Sequence, residues 1–154
     1  MAVGDIKWFG QGLHDLGSKL HNLGSDALKL GLITSATTPT VATDVPHFGG
    51  SGTTNLATNQ VAAGTSYTAG GPTLSSVAWT NVSGVPTLRA AAVTVAQDAS
   101  GFTNARWGII YNNTNAAKQA LAFIDLGADR SIAAGSLTLD WSGATDDILT
   151  ITQS

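Results

Sequence analysis

Cysteine is absent from this chain of 154 residues. That alone excludes disulfide scaffolds and zinc sites built on thiolates. Glutamate is absent as well, which removes the terminal ligand of a calcium-binding loop. Charge of either sign is scarce. Lys and Arg total 7, Asp and Glu total 10, and charged residues form 11% of the chain, against about 25% in an ordinary soluble domain. With a net charge of -3 and no basic cluster, the chain is not expected to bind nucleic acid by neutralising phosphates. No apolar run is long enough to read as a membrane-spanning helix. The opening segment, Met1 to Gly10, lacks a basic stretch followed by an apolar one, so it does not read as a secretory signal. Simple disorder is disfavoured by a hydrophobic content of 43%. The length fits one domain.

What remains is a folded chain whose polar groups are hydroxyls and amides. Gly supplies 18 residues, Thr 20 and Ser 13. Between Val45 and Gln97 the only charged side chain is Arg89. Free monomers usually keep themselves soluble with interspersed charge. This stretch is therefore either a surface held against something else or part of a β-rich domain coated in Thr and Ser.

Residues 1–24 read as an N-terminal docking arm, amphipathic and partly helical. Phe9, Leu13, Leu16, Leu20 and Leu23 are spaced 4, 3, 4, 3, an apolar seam on a helix. Trp8 adds to the apolar tip, and Gly24 stands where a glycine would end the helix. Gly10, Gly12 and Gly17 each cost a helix about 1 kcal/mol relative to Ala. So short a helix does not hold alone in water. The arm needs a partner surface, on its own domain or on another subunit.

After Asp26 the apolar period falls to two. Strands are expected over 28–34, 67–74, 77–82, 88–97, 106–111, 118–126, 137–142 and 148–152. Their short length and turn spacing predict an all-β fold, an antiparallel β-sandwich, jelly-roll-like or related, over residues 25–154. Residues 35–65 are expected to make a long surface excursion whose one bulky feature is His47-Phe48.

Candidate chemistry is thin. His14 and His21 share a helical face but lie two turns apart, too far for a zinc pair. Asp146 and Asp147 point to opposite faces of a strand, and Asp125 and Asp129 bracket a turn. All three histidines fall outside the strand framework that a catalytic triad would need. The Gly-Gly pairs at 49–50 and 70–71 lack the Lys and the helix of a phosphate loop. No catalytic, cofactor-binding or metal-binding residue is assigned, and no enzyme is expected. Trp79, Trp107 and Trp141 fall on expected strands and read first as core.

Several segments together resemble a family of small virion structural proteins of tailed bacteriophages. They are Asp26 to Thr34, Tyr67-Thr-Ala-Gly-Gly-Pro-Thr-Leu74, Ala105 to Tyr111, Leu121 to Gly127 and the terminal alternation from Leu137 to Thr152. The chain departs from the family where Val93 to Gln97 stands in place of a Trp-bearing segment, and in its apolar arm. The resemblance implies no enzymatic residues and a place in the virion. The leading expectation is a capsid decoration or cement protein on the phage head exterior, made in the bacterial cytoplasm. It would bridge major capsid subunits and contact copies of itself, as a homotrimer. Its interface residues would be Trp8, Phe9, Leu13, Leu16, Leu20, Leu23 and Phe48. One alternative is a tail, neck or fibre-associated component. Another is a carbohydrate-binding β-sandwich, which would need an exposed Trp79, Trp107 or Trp141 beside Asp, Asn or Arg.

Overall fold

The computed structural model describes Gly4, residues 6–141 and residues 147–151. The chain is mostly β, with several antiparallel sheets and one helix. Its centre is a four-stranded sheet made from β1 (Ile6–Trp8), β2 (Leu28–Ile33), β8 (Ala105–Asn112) and β9 (Ala120–Arg130), in the order β1-β9-β8-β2. The other strands are β3 (Pro46–His47), β4 (Thr54–Asn55), β5 (Ala78–Val82), β6 (Val85–Arg89), β7 (Val93–Val95), β10 (Leu137–Leu139) and β11 (Asp147–Thr150). They form an antiparallel β11-β6-β5 sheet, an antiparallel β10-β7 pair and a short parallel β3-β4 pair.

Alternation explains the central sheet. Strand β2 sends Leu28, Leu30 and Leu32 to one face and Gly31 and Ile33 to the other, and every one of these is buried. The first face meets Leu88, Val93, Val95, Leu137, Leu139, Ile148 and Leu149 from the smaller sheets in one inner core. The second face carries Ile33, Ile109, Tyr111 and Phe123. The chain covers this face itself. Phe48 and Leu56 descend from the segment between β2 and β5, and Phe9 comes from the end of β1. Phe48 stacks on Tyr111 with ring centroids 4.8 Å apart. A sheet buried on both faces accounts for the near-continuous apolar runs of β2, β8 and β9.

Four expectations change. The helix expected over the arm shrinks to α1 (Gly10–Gly17), and residues 6–8 form a strand instead. Backbone pairing of Ile6, Lys7 and Trp8 with Ile124, Phe123 and Ala122 of β9 outweighs weak helix propensity. The helix ends at Ser18, followed by Lys19 at φ 63, and Gly24 plays no part in that end. Residues 67–74 do not form a strand, because Gly70 and Gly71 turn the chain at φ 87 and 74. The long strand expected over 88–97 divides between β6 and β7, which belong to different sheets. The excursion at 35–65 does not stay on the surface, since Phe48, Leu56 and Val61 are buried.

Two glycines permit close approach. A Cβ on Gly12 would meet the Leu121 carbonyl oxygen at 2.6 Å, so only glycine lets α1 lie this near β9. A Cβ on Gly31 would overlap the Phe48 ring, which fills the slot that the missing side chain leaves.

Candidate functional site

The structure divides the seven expected interface residues. Phe9 and Phe48 are buried in the outer cluster and Leu23 in the inner one. Their side chains are covered by this same chain. Trp8 is half-buried and its indole N–H donates to the Thr150 carbonyl at 3.4 Å. Leu16 is half-buried against the inner core. Only Leu13, 41% exposed, and Leu20, 43% exposed, face solvent. The sequence seam therefore does not persist as one stripe, since Phe9, Leu20 and Leu23 lie outside the helix. Leu16 and Trp79 of β5 instead border one depression of about 370 Å³, lined also by Lys19 and His21. Sequence spacing gave no sign that the two would share it.

The second exposed feature is β5 itself. It pairs with β6 on one side through a tight turn, with Ser83 at φ 51 and Gly84 at φ 88. Its other edge pairs with no described strand. The free edge of β2 differs. It is occupied by bonds to Asn59, Val61, Pro72 and Leu74. No charged residue lies in β5. Arg89, the lone charge of the stretch from Val45 to Gln97, is paired across the sheet with Asp147 of β11.

A polar knot ties the arm to the sheet. Asn112, fully buried, donates to His21 Nδ1 at 3.1 Å and to Asp26 Oδ2 at 2.6 Å. Its own carbonyl accepts from the Thr114 and Asn115 N–H groups. Accepting at Nδ1 leaves the ring proton of His21 on Nε2, where it has no partner among the described residues. Burial lowers the His21 pKa, and Asp15 and Asp26 oppose that shift. Burial likewise lowers that of His47. Tyr67, whose hydroxyl accepts from the Leu32 N–H at 2.8 Å, is pushed up to about 12 by burial. These are structural groups inside the fold.

Of the three tryptophans read as core, Trp141 is buried and donates to the Ala91 carbonyl at 2.9 Å. Trp79 and Trp107 are half-buried. Trp107 lies in β8 opposite Asp125 of β9. The Arg106 guanidinium sits 5.5 Å from the Trp107 ring centroid and holds Asp125 with two bonds of 3.0 and 3.1 Å. Asp125 Oδ1 also accepts from the Gly127 N–H at 2.7 Å, but the turn expected at 125–129 is instead an irregularity within β9, where the register with β8 shifts between Asp125 and Arg130. The Arg106 bonds hold the Asp125 carboxyl below the usual carboxylate range, with help from Gly127 and Lys7. Trp107, Asp125 and Gly127 border a groove of about 510 Å³ that also takes in Lys7 and Phe123. The sequence reading missed the groove. Its only signal was the alternation that puts Trp107, Ile109 and Tyr111 on one face.

Among the described residues no three His or Asp side chains converge as a metal site. No described helix is long and apolar enough to cross a membrane. No protein-family model, curated protein or solved structure matches the chain.

Proposed function

We propose that the chain is a non-enzymatic virion structural protein, specifically a capsid decoration protein that bridges major capsid subunits on the head exterior. The observation that carries this reading is the uncharged, unpaired outer edge of β5. Soluble monomers usually guard such an edge with Lys, Pro or a covering segment. Among the described residues none is found along β5, although the same chain covers the edge of β2. Trp79 and the exposed Val82 on that edge, with Leu13 and Leu20 nearer the N-terminus, supply apolar area for obligate contact. The resemblance of the strand segments to phage virion proteins supports the same reading. Its finer parts are the homotrimer and the reading of the layered sheets as a jelly-roll-like sandwich.

The test is gel quantitation of the chain in purified particles, together with a Thr80→Lys variant on the exposed face of β5. Hundreds of copies per particle are expected. The variant should lose most of its occupancy while its melting temperature stays unchanged. Absence from particles would overturn the reading. Six or twelve copies would move the protein to the neck or tail.

A further inference from the structure

The groove beside Trp107 has no part in that contact surface. Three strands build its floor through register. Lys7 of β1 lies opposite Phe123 of β9, and Asp125 of β9 lies opposite Trp107 of β8. The loop from Pro39 to Val41 forms a wall, fixed where the Gly10 N–H donates to the Val41 carbonyl at 2.9 Å. Its volume of about 510 Å³ falls within the roughly 300–1,000 Å³ of small-ligand sites.

The polar groups of the floor are few and fixed. Asp125 is clamped by Arg106 and Gly127, yet its side chain stays 42% exposed. One bond reaches Oδ2, which leaves that oxygen further capacity to accept. Lys7 forms no ion pair among the described residues, although it lies close enough to Asp125 to favour the charged carboxylate. The Trp107 indole N–H is buried and has no acceptor among the described residues, so Trp107 offers the groove its ring rather than a donor.

These groups select a ligand class. A carboxylate only accepts hydrogen bonds and an ammonium only donates them. A hydroxyl does both, so adjacent hydroxyls on one ring satisfy Lys7 and Asp125 together. An anion is opposed by Asp125, and a cation by Lys7 and Arg106. A wholly apolar ligand would strip water from both charges and return nothing. We propose that this groove binds a neutral saccharide ring, its C–H face against Trp107 and Phe123 and its hydroxyls bridging Lys7 and Asp125.

The test is a titration of the ¹⁵N-labelled full chain with glucose, galactose, mannose and N-acetylglucosamine at millimolar concentration, read at the tryptophan indole N–H signals. Trp107→Phe assigns the signal. At least one sugar should shift the Trp107 signal saturably while that of buried Trp141 stays fixed. Lys7→Gln and Asp125→Asn should each weaken binding by about tenfold, as expected for one hydrogen bond to a charged group. Glucuronate should bind more weakly than glucose. Lys7 is exposed, so Lys7→Gln should keep the melting temperature and stay informative if Asp125→Asn misfolds. No saturable shift with any of the four sugars, equal affinity in Lys7→Gln, or tighter binding of glucuronate would overturn the proposal. None of these outcomes bears on particle occupancy.

Discussion

Gly31 occupies the one position of β2 where the Phe48 ring lies directly on the strand backbone. Gly31→Ala would drive a methyl group into that ring and force either the strand or the covering segment to shift. Overpacking of this kind costs about 1–3 kcal/mol, a loss readable as a lower urea midpoint. The pairing of Gly31 with Phe48 could not be read from sequence, because the twelve irregular residues 34–45 lie between β2 and β3. His21 carries a different consequence. Burial lowers its pKa, so the folded state resists a proton that the unfolded chain takes up. Its contribution to stability is present above about pH 6.5 and is lost as pH falls through the lowered folded value. His47 shifts in the same direction and acts with the same sign. Urea unfolding at about pH 7.5 and pH 5.5 should give a lower midpoint in acid. His21→Gln should flatten that difference.

Among the elements, the arm is the one whose role changes most. It contributes a sheet strand in β1, a core ring in Phe9 and an inner-core side chain in Leu23. Deleting residues 1–24 should therefore unfold or precipitate the chain, visible by circular dichroism, and cannot report on docking alone. Leu13→Asp with Leu20→Asp should leave stability within about 0.5 kcal/mol per site, because both side chains face water. Strands with clean alternation were legible. β2, β5, β8 and β10 fall where period-two spacing puts them, and β9 runs on past its expected end. β1 was not legible, because three residues carry no period and their apolar members extend the helical seam. The division of 88–97 was hidden for a similar reason. Ala90, Ala91 and Ala92 tolerate any backbone and do not mark where the chain leaves one sheet for another. The groove was hidden because its floor comes from three strands, and only register brings Lys7, Trp107 and Asp125 together.

On the scale of the whole molecule, one inner core draws side chains from three of the sheets. The second cluster lies apart, on the outer face of the central sheet under its covering segments. The chain should unfold in a single transition, with tryptophan fluorescence and far-ultraviolet circular dichroism giving coincident curves. Noncoincident curves would show that the β11-β6-β5 sheet opens by itself. Composition already pointed to a β-rich molecule with a hydroxyl surface. It could not say which part of the charge-poor stretch was surface. The structure folds Phe48, Leu56 and Val61 of that stretch inward and leaves the β5 hairpin outside.

The pairing of β1 with β9 joins the first described strand to one near the far end of the chain. During synthesis Ile6 leaves the ribosome long before Ile124 exists. At roughly 5–20 residues per second, the nascent β1 segment waits on the order of ten seconds for its partner. Throughout that wait Trp8 and Phe9 are without the strand that shelters them, so the growing chain offers a hydrophobic handle to chaperones that the finished protein withdraws.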